Sequence, residues 1–402
     1  MSHGDIVAYK AGVPVEVVAW ATSYSRRVST SPRIRVAVVF GGRSTEHAIS
    51  CISAGSVLRA LDHERYDVIP VGITRDGGWV LAADDPEHLA IDGGTFPEIT
   101  SDGTALVLAG DPTQRELVVS GPGATPRELA AVDVVFPLLH GPFGEDGTVQ
   151  GLLELAGVPY VGSGVLASAA GMDKAVAKTL LAAAGLDQAP YVVISDREWR
   201  LHADAAVDQV HASLTLPVFV KPSRAGSSVG ITKVKDWSDL VPAIEAAREH
   251  DPKIVVEQGV TGREIECGVL EREDGSGPEA SVCAEIVVHG GHEFYDFEAK
   301  YVAQSADDAT ELDVPADLDP LVSDRVREMA CRAFDALGCE DYARVDFFVA
   351  DDGRIVVNEV NTIPGFTPIS MFPRMWAESG LDYPALVDRL IRLALRKRTG
   401  LR

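Results

Sequence analysis

The sequence of 402 residues is poor in the features that mark specialised protein classes. It has five cysteines, which are scattered and form no CxxC pair. This spacing indicates neither a zinc site nor a disulfide framework, and buried thiols in a reducing cytoplasm are the expected state. No apolar run approaches the roughly 20 residues that a membrane span requires. We therefore expect a cytoplasmic protein without a membrane partner.

Basic charge is also scarce. The chain has 36 lysines and arginines against 60 aspartates and glutamates, so its formal net charge is −24. A charge of this sign repels a polyphosphate backbone, and we expect no nucleic-acid partner. A small anion is not excluded, because a local basic pocket with a bound metal can reverse the field.

The length predicts two or three domains. Short apolar strands that alternate with helices over residues 33–164 predict an N-terminal α/β domain with a parallel sheet. Hairpin patterns follow, and we place a small central domain at 165–258 and a C-terminal domain at 259–402. Residues 1–32 are predicted to be a disordered extension. Neither low-complexity tracts nor internal repeats are found.

A loop rich in glycine and serine, Pro222–Gly230, lies between two predicted strands. Its backbone N–H groups could fold over phosphate oxygens, and Lys221 directly before it could add a positive charge. The GxxxxGK[ST] pattern of a P-loop is missing. The loop is therefore either a phosphate clamp or a flexible surface hairpin.

Three oxygen-bearing side chains fall on two strands joined by the turn Asp351–Gly353. Glu359 and Asn361 share one strand face, and Asp346 can lie opposite them if the strands pair. Such a cluster suits Mg²⁺. Arg344 shares the face of Asp346, so an ion pair between them on a solvated sheet is the alternative.

Further candidates lie in a linker, a turn and a loop. Glu257 and Glu264 flank a short linker and could accept hydrogen bonds from a nucleotide, or could be surface glutamates. The turn before the first helix carries Glu46, a candidate for binding an ammonium group, and His140 and Glu145 open into the same crevice. A structural histidine is the alternative. The aromatic loop 294–301 is a lid or a packed loop.

Seven stretches together resemble the D-alanine–D-alanine ligase family of the ATP-grasp superfamily. They are VFGGRSTEHAIS, LHGPFGEDGTVQGLLELAGVPYVGSG, GMDK, KPSRAGSSVG, FYDFEAKY, RVDFFV and NEVNTIPGFTPIS. They occur in the family's order and extend the resemblance over residues 33–398, whereas residues 1–32 have no counterpart.

The resemblance implies a three-domain ATP-grasp fold. Its N-terminal domain is α/β with a parallel sheet, and two domains with antiparallel sheets clamp ATP in an α+β arrangement. The reaction implied is the ATP-dependent joining of two D-alanine molecules for peptidoglycan precursors. It proceeds through D-alanyl phosphate and releases ADP and phosphate. A homodimer is also implied.

The resemblance further implies the roles of single residues. The residues that bind ATP are Lys174, Lys221, Ser227, Ser228, Glu257, Val260, Glu264 and Lys300. Those that bind two Mg²⁺ ions, or Mn²⁺ in their place, are Asp346, Glu359 and Asn361. The catalytic residues are Glu46, Ser227, Tyr301, Arg344 and Gly365. Those that bind D-alanine are Glu46, His140, Glu145, Ser370 and Met371.

Two rival functions follow from the same residues. A ligase that uses D-lactate or D-serine as second substrate would share the scaffold, but Tyr301 in the EAKY stretch favours an amino acid over D-lactate. A non-catalytic ATP-binding module is the other rival. It would need neither Glu46 nor Arg344 nor Ser370, so we favour the enzyme.

Overall fold

The computed structural model describes residues 33–91, 93–101, 104–114, 116–120, 127–287 and 311–399. These residues form three β-sheets with helices packed against them. The predicted extension 1–32 and the predicted lid 294–301 lie outside the described residues. Among those described, no helix combines the length and the apolar character that crossing a bilayer demands.

The first sheet has seven strands in the order β6-β5-β4-β3-β2-β1-β7. The strands are β1 (Ile34–Gly41), β2 (Tyr66–Ile73), β3 (Trp79–Leu81), β4 (Thr104–Leu108), β5 (Glu116–Ser120), β6 (Arg127–Ala131) and β7 (Val134–Pro137).

Strand β1 pairs in parallel with β2 and β7, which confirms the predicted parallel sheet. Val36, Val38 and Phe40 of β1 are fully buried, as expected where helices or strands cover both faces of a sheet. Four antiparallel strands, β3 to β6, extend this sheet beyond the prediction. They are short and largely half-exposed, so they lack the continuous apolar runs by which β1 and β2 are recognised.

Helices α1 (His47–Ala60) and α2 (Thr148–Ala156) pack against this sheet, whereas α3 (Val165–Met172) packs into the core of the third sheet, described below. Helix α1 begins directly after the turn that follows β1. His47, its first residue, is fully buried, donates through Nδ1 to the Gly42 carbonyl (2.7 Å) and accepts from Ile99 N (3.0 Å). This histidine therefore holds the turn that carries Glu46.

The second sheet has four antiparallel strands in the order β10-β9-β11-β8. They are β8 (Tyr191–Ile194), β9 (Val218–Pro222), β10 (Thr232–Val234) and β11 (Ile254–Gln258). Helices α5 (Asp196–Ser213) and α6 (Leu240–Arg248) pack against it, whereas α4 (Lys174–Ala183) packs through Ala177 and Leu181 into the core of the third sheet. The predicted hairpin is confirmed, because β9 and β10 pair on either side of the glycine/serine loop. Strand β10 begins later than predicted, which lengthens the loop to residues 223–231.

The third sheet has five antiparallel strands in the order β14-β13-β12-β15-β16. They are β12 (Gly262–Glu271), β13 (Pro278–Val287), β14 (Glu311–Asp313), β15 (Tyr342–Ala350) and β16 (Ile355–Asn361). Helices α7 (Pro320–Leu337), α8 (Met371–Glu378) and α9 (Tyr383–Arg396) complete this part of the chain. The predicted hairpin at 351–353 is confirmed by the pairing of β15 with β16.

The first and third sheets share one apolar core. Phe136 of β7 packs edge-on against Phe366 at 5.8 Å between ring centroids, and Phe366 also contacts Tyr342 of β15. At the rim of this core, Tyr66 Oη donates to Asp388 of helix α9 (2.7 Å). These contacts bring the turn after β1 close to the segment that follows β16.

Candidate active site

A cavity of about 570 Å³ lies between the second and third sheets, a volume suited to a nucleotide. Apolar side chains from both sheets, among them Phe219 and Phe348, form part of its wall. Most of the predicted functional residues also line it: Glu145, Lys174, Lys221, Ser227, Ser228, Glu257, Val260, Glu264, Arg344, Asp346, Glu359 and Asn361. Residues far apart in the sequence therefore converge on one site.

The glycine/serine loop 223–231 covers one side of this cavity. Ser227 and Ser228 have left-handed backbone conformations, with φ of 47° and 59°. Such a conformation is uncommon for residues with a Cβ, and successive N–H groups in turns of this kind form anion-binding concavities. Lys174 at the start of α4 supports the loop, because its ammonium donates to the Ala225 carbonyl (2.8 Å).

The base of the loop is anchored by two aspartates. Ser223 Oγ donates to Asp173 (2.8 Å), which also caps helix α4 through Val176 N. Arg224 donates to both oxygens of Asp251, at 2.9 and 2.6 Å. The loop is therefore tied at its first residues to two different elements, while its tip faces the cavity.

Glu257 at the end of β11 contacts two lysines. Lys221 Nζ lies 2.6 Å from one carboxylate oxygen, and Lys178 Nζ of helix α4 contacts the other. Burial acts to raise the pKa of Glu257, but the two ammonium groups outweigh it and lower the pKa to about 2. Burial lowers the pKa of Lys178, whereas Glu257 raises that of Lys221 despite burial. A charged carboxylate is thus held rigidly at the cavity wall.

The predicted metal residues lie side by side on β15 and β16. Asp346 stands opposite Glu359, and Arg344 stands opposite Asn361. The Arg344 guanidinium donates to both oxygens of Asp346 at 2.7 Å, and Asn361 Nδ2 donates to Asp346 Oδ2 (2.9 Å). Glu266 of β12 lies 3.2 Å from Arg344 Nε. The alternative ion pair of Arg344 with Asp346 therefore exists within the cluster that was predicted to bind metal.

The donor set fits Mg²⁺ by its chemistry. Two carboxylates and a carboxamide on one sheet face are hard oxygen ligands, which Mg²⁺ completes with water and substrate phosphates. In the described part of the chain, no group of three or more histidine, cysteine, aspartate or glutamate side chains could hold a metal by itself. Asn361 and phosphate oxygens of a nucleotide would supply further oxygen ligands to such a site.

Glu46 joins the first sheet to the glycine/serine loop. Ser227 Oγ donates to its carboxylate, although the two residues are separated by 181 positions. Gly141 lies on another side of Glu46, and a Cβ added to Gly141 would lie 2.5 Å from Glu46 Oε2. Gly141 has a φ of 74°, which also favours glycine. Only glycine leaves room for the carboxylate here.

His140 and Glu145 support this corner and reach the third sheet. His140 Nδ1 donates to the Ile363 carbonyl (3.0 Å), and burial lowers the pKa of the imidazole. Glu145 accepts from the N–H groups of Gly141 (2.6 Å) and Ile363 (3.3 Å). Burial and the neighbouring Glu46 raise the pKa of Glu145 to about 8.

The segment after β16 carries the other predicted substrate residues. Ser370 precedes helix α8 and leaves the helix N–H groups without a side-chain cap. Its hydroxyl instead lies 2.7 Å from Thr367 Oγ1 and close to the backbone of Gly365. Met371 is the first residue of α8, so its N–H belongs to a helix N-terminus, which favours a carboxylate.

Two predicted site residues are not described by the structure, and two residues of the site were not predicted from the sequence. Lys300 and Tyr301 lie outside the described residues, so their roles stay predictions. Lys178 and Glu266 were missed. Both had a periodic signal, because Lys178 is one helical turn from Lys174 and Glu266 is two strand positions from Glu264.

Two antiparallel sheets that enclose a cavity lined by lysines and a glycine/serine loop define the ATP-grasp class of ATP-dependent ligases. The family profiles described as "D-ala D-ala ligase N-terminus" and "D-ala D-ala ligase C-terminus" match residues 35–163 and 180–392. The chain therefore belongs to the D-alanine–D-alanine ligase family.

Individual relatives agree with the family profiles. A D-alanine–D-alanine ligase of Mycobacterium sp. strain KMS is 58% identical over 381 residues, which cover 93% of this chain and 100% of that protein. One from Rhodococcus opacus is 57% identical over 378 residues, with the same shares. Among solved structures, the VanG D-Ala:D-Ser ligase of Enterococcus faecalis has a TM-score of 0.78 at 37% identity and covers 90% of this chain and 100% of its own. The D-alanine–D-alanine ligase of Coxiella burnetii has a TM-score of 0.73 at 33% identity, with coverage of 91% and 94%.

Proposed function

We propose that this enzyme joins two D-alanine molecules into D-alanyl-D-alanine for peptidoglycan precursors, with ATP as co-substrate. The observation that carries the proposal is the contact between Ser227 and Glu46. A carboxylate suited to a substrate ammonium thereby lies next to the loop suited to ATP phosphates. An ATP-binding module without catalysis would not need this junction.

The first step transfers phosphate. Glu46, with His140 and Glu145 behind it, holds the ammonium of the first D-alanine. An oxygen of that substrate's carboxylate attacks the γ-phosphorus, the bond to ADP breaks, and D-alanyl phosphate forms. Lys174, Lys221 and the N–H groups of the glycine/serine loop offset the repulsion between the two anions.

The site also contains the groups that a divalent metal requires. Asp346, Glu359 and Asn361 would hold two Mg²⁺ ions, or Mn²⁺ in their place. When bound, the metal neutralises charge on the β- and γ-phosphates. Glu257 and Val260 would bind adenine, and Glu264 would bind the ribose.

The second step forms the peptide bond. The amine of the second D-alanine attacks the acyl carbon and gives up a proton, and the bond to phosphate breaks as the tetrahedral oxyanion collapses to the amide. Arg344 and the Gly365 N–H stabilise that oxyanion, while Ser370 and the Met371 N–H hold the carboxylate of the second substrate. Tyr301 and Lys300 belong to the lid in this proposal, which places Tyr301 near Ser227 and Glu46 and Lys300 near the γ-phosphate.

D-serine as second substrate is the alternative that one comparison favours, because the Enterococcus structure of similar fold is a D-Ala:D-Ser ligase. The relatives with 57–58% identity are D-alanine–D-alanine ligases, which supports D-alanine. We further propose that the enzyme is cytoplasmic, since the use of ATP and the free cysteines fit that compartment. A homodimer is proposed from the resemblance to the family alone.

The product decides between these functions. The purified enzyme is incubated with ATP, Mg²⁺ and D-alanine, and with D-alanine plus an equal concentration of D-serine or D-lactate. We expect phosphate release that depends on D-alanine, and D-alanyl-D-alanine as the main product by mass spectrometry. Phosphate release with L-alanine alone, or without any amino acid, would refute the proposal. Mainly mixed dipeptide would establish the D-serine alternative.

A further inference from the structure

Glu266 is a buried carboxylate that lies beside Arg344 at the wall of the cavity. It stands on β12 directly opposite Asp346 of β15, and its side chain is only 5% exposed. One of its oxygens lies 3.2 Å from Arg344 Nε. Arg344 is therefore held between two carboxylates, Asp346 on its own strand and Glu266 on the next.

Successive side chains of β12 project to opposite faces of the sheet, and Glu266 projects away from the apolar core. Ile265 and Cys267 are fully buried in an apolar cluster with Phe334 of helix α7. Glu264 and Glu266 point to the opposite face and line the cavity. A buried charge on the cavity wall, rather than in the core, indicates a function at the active site.

Asp346 cannot serve Arg344 and a metal in the same way at once. Both of its oxygens accept from the guanidinium at 2.7 Å, and Oδ2 also accepts from Asn361. A metal needs the same lone pairs. Metal and guanidinium therefore compete for Asp346. This inference rests on the proposed function, in which Asp346 binds the metal.

We propose that Glu266 is a positioning residue that retains Arg344 in the cavity when the metal draws on Asp346. Its carboxylate is the second counter-ion of the guanidinium and is already in place. It weakens the hold of Arg344 on Asp346 and so favours metal binding. It also keeps the guanidinium at the wall where the oxyanion forms in the second step.

The first test measures metal binding without turnover. Mn²⁺ affinity is determined by electron paramagnetic resonance with a non-hydrolysable ATP analogue and no D-alanine. We expect Glu266→Gln to lower the affinity about 5- to 10-fold, because Arg344 then competes more strongly for Asp346. Arg344→Met should raise it. In the Arg344→Met background, Glu266→Gln should have no further effect, since there is no guanidinium left to hold.

A matched control is Glu279→Gln. Glu279 also lies in the third sheet and pairs with an arginine, Arg389 at 2.6 Å, but it is not among the residues that line the cavity. Its replacement should leave Mn²⁺ affinity unchanged. Should Glu266→Gln fail to fold, Glu266→Asp keeps the charge but withdraws it from Arg344 and should give a smaller loss of affinity.

The second test separates the two chemical steps. With ATP, D-alanine and hydroxylamine, D-alanyl phosphate is trapped as the hydroxamate. Glu266→Gln should raise the ratio of hydroxamate to dipeptide several-fold, because a displaced Arg344 stabilises the second oxyanion poorly. A merely structural role would lower both products together.

Each result has a distinct meaning. Loss of Mn²⁺ affinity by Glu266→Gln that persists in the Arg344→Met background would make Glu266 a direct ligand and overturn the proposal. Unchanged affinity and product ratio would overturn it too. The variant Asp346→Asn distinguishes the underlying assumption: if it binds Mn²⁺ as well as the wild type, the metal assignment of the proposed function is itself wrong.

Discussion

The Lys178 ammonium contacts the Glu257 carboxylate directly at the junction of helix α4 and strand β11, and both side chains are almost completely buried. Lys221 approaches the same carboxylate from β9. Helix α4 and the strands β9 and β11 are thereby held around one charged group at the cavity wall. This lock orients the acceptor that is proposed for adenine.

Replacement of Lys178 by methionine tests this lock. Removing one partner of a buried ion pair costs about 3–5 kcal/mol, and we expect roughly 3 kcal/mol because Lys221 remains. The KM for ATP should rise about tenfold, while the KM for D-alanine changes little. Urea unfolding and steady-state kinetics measure the two effects. Lys235→Met, at an exposed position after β10, is the control, and an unchanged KM for ATP would contradict the role given to Lys178.

Gly230 tests the shape of the glycine/serine loop. Its φ is 72°, and an added Cβ would lie 2.5 Å from the His250 ring and 2.8 Å from Pro222. Gly230→Ala should therefore displace the loop and raise the KM for ATP at least tenfold. Gly275→Ala is a closely matched control, because Gly275 has a φ of 73° with no atom within 4 Å. Both variants should lose about 1 kcal/mol of stability from backbone strain, and Gly230→Ala should lose more because of the close contacts of its Cβ. If the two variants had the same KM for ATP, the contacts at the base of the loop would have no effect on ATP binding.

The raised pKa of Glu145 predicts a dependence of stability on pH. The folded protein binds this proton more tightly than the unfolded chain, whose glutamate pKa is about 4.3. The contribution to stability is thus fully present below about pH 4 and is lost as pH rises through about 8. Wild type should therefore lose stability relative to Glu145→Gln between pH 5 and 8.5, by a few kcal/mol at most. Melting temperatures of both proteins across this range provide the measurement. A difference that does not vary with pH would contradict it.

Glu359→Gln tests the metal cluster at its second carboxylate. Loss of one anionic oxygen should raise the Mg²⁺ concentration needed for half-maximal activity at least tenfold and lower kcat. The melting temperature should change little, since Glu359 is only half-buried beside the cavity. Titration of activity with Mg²⁺ at saturating ATP, with Glu378→Gln as control, gives the comparison. Unfolding of the variant would instead assign Glu359 a structural role.

Local patterns in the sequence predicted the parts of the fold that depend on near neighbours. The turn Asp351–Gly353 and the alternation around it predicted the hairpin of β15 and β16, and the pairing places Asp346 opposite Glu359 as expected. The strands β3 to β6 were not predicted, because these short segments lack a clear pattern of apolar residues. Glu266 could have been found from its spacing to Glu264, since both project from one face of β12.

The sequence by itself determined the family, the class of reaction and the residues that carry oxygen or positive charge at strand ends. The family and the class of reaction follow from the resemblance of its motifs to known ligases, and the placement of the single side chains follows from the periodicity of neighbouring residues. Only the tertiary structure decided which of these charges meet. Ser227 finds Glu46 across 181 positions, and Lys178 finds Glu257 across 79. Such pairs depend on how separate sheets pack, because burial removes water and leaves each charged group to be stabilised by whichever partner the fold brings near.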